Sequence, residues 1–302
     1  MKPGIVGWLD GKLVDWRLIS VSPLSHSFNR ASAVFEVMSV VSTPGGPAVF
    51  CLEEHLQRFL SSASQAFMKI PFTAEVIRRA VIETSHANGL KSGIVKCYAY
   101  HPDIDVGPAT PETTTVAVFC LDFSALGIPH DKYAHPIRLG VSSLRKLHPQ
   151  TAAVHAKITG NYANGFLARM EARGRGYDEA LMLDLDGFVA EAPTANIFLA
   201  SSGVVVTPPD ECVLPGITRK VVMDVLGDMG VQVRKQPIRV EDLGSFDEGF
   251  LSGTLRHVQP LAQIEDCVFA CPGPITASLL DRMQEVYEGT AERYRHLLTY
   301  LS

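Results

Sequence analysis

Repeated strand–turn–strand patterns constrain the fold of this chain more than any other feature. EALMLDLDGFVAEA has apolar runs on both sides of an Asp186-Gly187 turn, and NIFLASSGVVVTPP repeats the design around a Ser-Ser-Gly turn. GIVGWLDGKLV has the same form near the N-terminus. Hairpins with interspersed helices are typical of α+β domains with largely antiparallel strands, not of doubly wound sheets. The sequence has no GxGxxG or GxxxxGK[ST] motif, so it gives no support to a dinucleotide-binding or P-loop fold.

Helical spacing is found between these strands. Apolar residues at spacings of three and four predict helices over 53–69, 74–88 and 161–173, with Gly89 closing the second one. A further helix is expected in RKVVMDVLGDM, and the tail ASLLDRMQEVYEGTAERYRHLLTYL is predicted to be helical. Strands and helices together make the N-terminal part of the chain an α/β unit.

A chain of 302 residues is long enough for two domains of ordinary size and too long to fold around one small core. The stretch 124–136 turns loop-like and is predicted to be the interdomain linker. A small N-terminal α/β domain then covers 1–123, and a large C-terminal domain covers 137–302.

Charge and composition exclude several classes of function. Lys and Arg number 27 against 32 for Asp and Glu, and the net charge of −5 comes without a basic block, which argues against nucleic-acid binding. Neither an apolar run of about 18 residues nor a signal peptide is found, so we expect a cytoplasmic protein with no membrane partner. Six cysteines without a CxxC pair predict neither a disulfide framework nor a metal site.

Lys157 is the first candidate for chemistry. It lies among small apolar residues in TAAVHAKITGNY, and such surroundings can strip water from an ammonium group and free the amine to form a Schiff base. Taken alone, a solvent-exposed lysine between a strand and a helix is the simpler interpretation.

Two turns could hold a phosphate. The PGIT turn at 215–218 opens a helix whose first backbone N–H groups and dipole suit an anion, and the hydroxyl of Thr218 could add a contact. The SGT turn at 252–254 follows a strand and is of the same kind. Taken alone, a capped helix and a strand-ending turn are the simpler explanations.

Three more side chains carry suitable chemistry. Glu191 lies in FVAEAPTAN, where a carboxylate among apolar residues needs a positive partner such as a protonated ring nitrogen, unless it is a surface residue at a strand end. Arg58 lies off the apolar stripe of its helix, which by itself indicates a solvated position, and Tyr162 follows Lys157 by five residues. Together these groups supply an amine, a phosphate cradle, a carboxylate and a phenol, the set that a pyridoxal phosphate enzyme needs.

This constellation resembles the core of the branched-chain amino acid aminotransferases, pyridoxal phosphate enzymes of fold type IV. The resemblance lies in HAKITGNYANGFLARMEARGRGYDEALMLDLDGFVAEAPTANIFL and in the order of LEEHLQRFLSSA, the lysine segment, E-x-x-x-x-N, LPGITR and SGT. It extends over nearly the whole chain. It implies an α+β, two-domain fold with pyridoxal 5'-phosphate between the domains, in a homodimer or higher assembly whose sites borrow residues from a neighbouring subunit.

The resemblance also implies roles for individual residues. Lys157 would carry the Schiff base and shuttle the proton, Glu191 would keep the pyridine nitrogen protonated, and Tyr162 would hydrogen-bond the phenolic oxygen. Arg58, the helix start at LPGIT and Thr254 would hold the phosphate. The predicted cofactor-binding residues are Arg58, Lys157, Tyr162, Glu191, Asn196, Leu214, Gly216, Ile217, Thr218, Gly253 and Thr254.

Departures from the family pattern fall around the substrate. The family usually has an aromatic residue and a glycine at Arg30-Ala31, an arginine at Lys96 and small residues at Leu255-Arg256. It also has a glycine followed by Arg or Lys after FE, where this chain has VMS. The predicted substrate residues are Phe35, Val37, Arg30, Lys96, Leu255 and Arg256.

These substrate residues suggest a pocket for two kinds of side chain. Phe35 and Val37 would form apolar walls for leucine, isoleucine or valine. At least one of the three cations is predicted to bind the second carboxylate of 2-oxoglutarate, because a buried cation needs an anionic partner. Otherwise the cations point to solvent or pair with acidic residues such as Glu36.

The leading functional hypothesis is an aminotransferase that moves an amino group from a branched-chain-like amino acid to a 2-oxo acid such as 2-oxoglutarate, through Lys157. Two activities of the same fold remain alternatives: a lyase resembling aminodeoxychorismate lyase, and an aminotransferase for D-amino acids or (R)-amines. A binding relative without cofactor is the non-enzyme alternative, and the retained Lys157 argues against it.

Overall fold

The computed structural model of the chain describes residues 6–105, 107, 111–129 and 135–301. Residues 130–134 of the predicted linker lie outside this description. The chain divides into two compact units. The first is drawn from Met1–His130, Ala156–Gly160 and Val286–Ser302, and the second from Asp131–His155 and Asn161–Glu285.

Strands and short helices alternate along the described residues. The strands, in chain order, are β1 Val6–Leu9, β2 Lys12–Asp15, β3 Val34–Thr43, β4 Gly46–Phe50, β5 Gly93–Tyr100, β6 Thr115–Asp122, β7 Ile137–Val141, β8 Glu179–Leu181, β9 Glu191–Ala192, β10 Ala195–Ser201, β11 Val204–Thr207, β12 Gln232–Lys235, β13 Glu248–Gly253, β14 His257–Ile264, β15 Cys267–Val268 and β16 Leu298–Tyr300. The α-helices are α1 His26–Arg30, α2 Leu52–Gln65, α3 Ala74–Ala87, α4 Asn161–Gly174, α5 Ile217–Asp228 and α6 Pro274–Glu288. Of the helices in the described part of the chain, none combines the length and apolar character that a bilayer crossing needs.

An antiparallel sheet forms the body of the first unit. Its strands lie in the order β16-β4-β3-β5-β6-β1-β2. On one face, α2 and α3 bury a core that includes Val34 and Met38 of β3, Leu56 and Phe59 of α2 and Ile77 of α3. Because side chains alternate along a strand, the residues between Val34 and Met38 at odd positions point to the opposite face.

Two segments belong to the first unit although the sequence places them in the C-terminal domain. Ala156–Gly160 runs beside β3, where Val34 and Ile158 form a β-bridge. Val286–Ser302 carries β16, which pairs with β4. Both groupings come from backbone pairing between residues far apart in the chain.

The tail is only partly helical, so the prediction of a helix throughout it is wrong. α6 ends at Glu288, and the following Gly289 has a φ of 73°. The chain then makes a 3₁₀ turn and enters β16, where Leu298 and the following Leu301 are buried. Glycine adopts positive φ without strain, so it allows the helix to end here.

A second sheet forms the body of the second unit. Its strands lie in the order β12-β11-β10-β13-β14-β7-β8, with β15 on β14 and β9 on β10. β11–β12, β14–β7 and β7–β8 are parallel, and the other pairs are antiparallel. The predicted turns at Asp186-Gly187 and Ser202-Gly203 are confirmed, since a Leu183–Val189 bridge encloses the first and β10 and β11 flank the second.

Candidate active site

Lys157 is fixed by its backbone against β3 and α2. Its N–H donates to the Ser62 hydroxyl at 2.9 Å, and its carbonyl accepts from the Phe35 N–H at 3.0 Å. The side chain is half-buried, and Nζ lies 4.6 Å from the centroid of the Phe35 ring. The amine therefore rests on an aromatic surface, and two backbone hydrogen bonds fix the residue that carries it.

Phe35 belongs to a row of side chains on the sheet face opposite the α2 core. The register pairs Phe35 with Tyr98 and Val37 with Lys96. The Phe35 and Tyr98 rings stack at 5.9 Å, and Lys96 Nζ lies 5.0 Å from the Tyr98 centroid. The structure thus brings three predicted substrate residues onto one face with Lys157, together with Tyr98, which the sequence prediction missed.

Arg58 is not solvated, so that interpretation of its helix position is wrong. Its side chain is 12% exposed and donates two hydrogen bonds to Glu36, from Nε to Oε1 at 2.7 Å and from Nη2 to Oε2 at 2.9 Å. His55 Nδ1 lies 2.5 Å from Glu36 Oε2. Burial alone would raise the pKa of the Glu36 carboxyl, but the charges of Arg58 and His55 lower it to about 2. Glu36 is therefore an anion that orients Arg58.

Glu191 is buried in the second unit at the β9–β10 hairpin. Its Oε2 accepts from Asn196 Nδ2 at 2.9 Å, and its Oε1 accepts from the Leu214 N–H at 3.2 Å. Lys146 Nζ lies 2.6 Å from the same Oε1. The carboxylate is thus held in one orientation by two predicted residues, Asn196 and Leu214, and by Lys146, which the sequence prediction missed.

The start of α5 adjoins this carboxylate through Asn196. A Cβ added to Gly216 would lie 2.0 Å from Asn196 Oδ1, so only glycine fits at this N-cap. Ile217 and Thr218 form the first turn, whose N–H groups have no partner within the helix. Arg219 anchors the turn, since its buried guanidinium donates to the Pro208 carbonyl at 2.6 Å.

Ser252, just before the β13–β14 turn, lies on the same sheet face as Asn196. Ser252 is directly opposite Asn196 in the register, and its buried hydroxyl makes no hydrogen bond within the described residues. Gly253 pairs with His257, so 254–256 form the turn between the strands. Tyr162, also in the second unit, is half-buried at the start of α4.

Two of the three predicted substrate cations have protein carboxylates as partners. Arg256 Nη2 lies 2.6 Å from Oε2 of Glu179, which is buried. Arg30 Nε lies 2.7 Å from Asp105 Oδ2, and the Arg30 side chain is 59% exposed. Lys96 forms no ion pair with any residue that the structure describes. Arg30 ends helix α1 and is not part of the sheet, whereas Lys96 lies on the sheet face that carries Phe35 and Val37.

Comparison with known families gives this geometry a context. The model of the amino-transferase class IV family matches residues 33–264. The chain belongs to the class IV aminotransferases.

Relatives of this class IV aminotransferase match it over almost their full lengths. The branched-chain-amino-acid aminotransferase of Pseudomonas aeruginosa is 29% identical over 97% of this chain and 96% of its own. Among solved structures, the branched-chain aminotransferase from Thermoproteus uzoniensis with norvaline has a TM-score of 0.93 and 35% identity, covering 99% of each chain. The T.th. branched-chain amino acid aminotransferase complexed with N-(5'-phosphopyridoxyl)-L-glutamate has a TM-score of 0.93 and 31% identity, covering 100% of each chain.

These matches confirm the predicted family, the fold type IV architecture and the pyridoxal phosphate-dependent transaminase. The residues present also fit the cofactor. Glu191 is a buried anion able to face a protonated ring nitrogen, and the glycine-only start of α5 can take a phosphate. The unpartnered Ser252 hydroxyl lies in the same row as Glu191 and Asn196, where a polar ligand could satisfy it.

Proposed function

We propose that this class IV aminotransferase is a branched-chain amino acid aminotransferase that uses 2-oxoglutarate and glutamate as the second substrate pair. The observation that carries the proposal is the apolar face around Lys157, where Phe35 and Val37 suit an aliphatic side chain and Lys96 supplies one cation. The norvaline and glutamate named with the two solved relatives support a pocket of this dual kind.

Each candidate cofactor-binding side chain has a defined task in this proposal. When bound, pyridoxal phosphate supplies an electron sink for the charge left when the substrate Cα loses its proton. Lys157 holds the cofactor through its amine, takes the Cα proton and returns it. Glu191 pairs with the ring nitrogen, and Tyr162 donates to the phenolic oxygen. Arg58 neutralises the phosphate.

The backbone supplies the remaining contacts. Gly216, Ile217 and Thr218 present N–H groups to the phosphate at the start of α5, and Gly253 and Thr254 close it from the other turn. Asn196 and the Leu214 N–H aim the Glu191 carboxylate. Leu255 and Arg256 complete the β13–β14 turn beside the substrate.

A donor and acceptor panel tests the function. The purified protein should be yellow, and it should turn over L-leucine, L-isoleucine or L-valine with 2-oxoglutarate faster than D-amino acids or (R)-amines with either 2-oxoglutarate or pyruvate. Preference for a D-amino acid or (R)-amine would overturn the branched-chain assignment. Release of pyruvate from aminodeoxychorismate without an amino acceptor would instead support the lyase alternative.

A homodimer is part of the proposal. Three strongly exposed apolar side chains lie on neighbouring segments of the first unit: Leu24, Phe28 and Ile104. Ser25 and Ile104 form a β-bridge that holds these segments together. Association with a second copy would bury such a cluster.

Arg58→Ala tests the phosphate contact. Removing one charge-assisted contact costs about 1.5–3 kcal/mol of binding free energy. The dissociation constant of pyridoxal phosphate should therefore rise roughly ten- to a hundred-fold. Fluorescence titration of the cofactor-free protein measures it. Arg78→Ala is the control, because Arg78 forms an exposed pair with Glu53. An affinity equal to that of the wild type would leave Arg58 as a partner of Glu36 alone.

Lys96→Met tests the choice between the two substrates. The rate constant of the half-reaction with glutamate should fall by about tenfold or more, the equivalent of about 1.4 kcal/mol for one lost ion pair. The rate constant with leucine should stay unchanged. Arg30→Gln is the matched control, since Asp105 already pairs with Arg30 at 2.7 Å. Single-turnover kinetics with each donor give both values. Equal losses for glutamate and leucine in Lys96→Met would contradict the role.

A further inference from the structure

Lys146 places a cation at Glu191, the carboxylate that is proposed to face the cofactor. It lies in the loop after β7, where its N–H donates to the Leu183 carbonyl at 2.7 Å. Its Nζ is 2.6 Å from Glu191 Oε1, and the two side chains are 17% and 5% exposed. The ion pair is therefore largely removed from water.

Burying a carboxylate costs free energy of folding unless a positive charge compensates it. Glu191 receives neutral hydrogen bonds from Asn196 and from the Leu214 N–H, and these orient it without neutralising it. Lys146 provides the positive charge in the cofactor-free protein. Without such a partner the buried carboxylate would stay uncompensated, and the fold would lose stability.

The bound cofactor would change the balance of charges at Glu191. A protonated ring nitrogen at Glu191 would be a second cation on one carboxylate, since Lys146 already occupies Oε1. Like charges close together in a buried site repel each other. Binding therefore requires Glu191 to be shared between the ring nitrogen and Lys146.

We propose that Lys146 is a positioning residue that serves as the counter-ion of Glu191 until the cofactor arrives and then competes with the ring nitrogen for it. The idea rests on the proposed role of Glu191 toward the cofactor. It predicts that Lys146 stabilises the cofactor-free protein more than the loaded one. By linkage, removing Lys146 must tighten cofactor binding by the difference between the free energies with which Lys146 stabilises the cofactor-free and the loaded protein.

Lys146→Met is the test, read out by thermal unfolding with and without pyridoxal phosphate and by the cofactor dissociation constant. We expect the melting temperature to fall more in the cofactor-free protein than in the loaded one, and the dissociation constant to drop about tenfold, or about 1.4 kcal/mol. Lys146→Arg, which keeps the charge, should resemble the wild type. Lys235→Met is the control, because Lys235 makes an exposed pair with Asp210 in the same unit.

Equal losses of melting temperature in both forms, with an unchanged dissociation constant, would make Lys146 a structural link only and overturn the proposal. Weaker cofactor binding would also overturn it. If Lys146→Met does not fold, the pair Glu191→Gln and Glu191→Gln/Lys146→Met decides. Without a charge at position 191, removing Lys146 should leave the dissociation constant unchanged, and a tenfold change there would contradict the competition. None of these measurements uses an amino acid substrate, so failure of the substrate panel remains a separate result.

Discussion

Substituting Lys157 by alanine is expected to lower the rate of transamination by several orders of magnitude and to leave the fold intact. Loss of proton transfer alone costs about 10²–10⁴-fold, and loss of the amine that holds the cofactor adds to it. The fold survives because the bonds to Ser62 and Phe35 use backbone atoms of residue 157, which alanine retains. The side chain itself gives up its contact with the Phe35 ring.

Stopped-flow measurement of the half-reaction with leucine gives the rate, and circular dichroism checks the fold. Lys235→Ala should react like the wild type, since Lys235 pairs with Asp210 at the surface. Borohydride reduction followed by peptide mapping should find the cofactor attached to the peptide that contains Lys157. Attachment to another lysine, such as Lys146, would refute the assignment.

The fold was predictable from sequence where it depends on neighbours in the chain. The β1–β2 turn at Asp10-Gly11 and the start of α5 after Gly216 follow from turn and cap residues. The strand β16 was missed because its partner β4 lies near the other end of the chain. Helical spacing in the tail could not reveal that pairing or the break at Gly289.

The site divides in the same way. Residue type and the family resemblance singled out Lys157 and Glu191 as candidates, but they did not reveal the ion pairs that hold Arg58 and Glu191 in place. Glu36 left a signal, since the alternation along β3 directs it to the same face as the core residues, where a carboxylate requires a cation. The sequence gives no such signal for Lys146, because the segment LRKLHP does not reveal which of its basic side chains points into the protein.

Glu36→Gln is expected to produce the largest loss of stability. Glu36 is fully buried and paired with Arg58 and His55, and removing one partner of a buried ion pair costs about 3–5 kcal/mol because the other charge stays uncompensated. Urea unfolding of the cofactor-free protein measures the free energy. Glu53→Gln makes the same substitution in a pair with Arg78 that is largely exposed, and it should cost no more than about 1 kcal/mol.

The acid dependence of stability gives an independent check on this pair. Because the folded pKa of Glu36 is lowered to about 2 from 4.5, its contribution is complete above pH 4.5 and is lost as the pH falls towards 2. Burial also lowers the pKa of His55 below 6.5, so stability begins to fall once the pH drops below that value. Urea titrations at a series of pH values should therefore show a shallower decline below pH 4.5 in Glu36→Gln than in the wild type. Parallel declines in the two proteins would mean that Glu36 is not ionised in the fold, and the buried pair could not then be what orients Arg58.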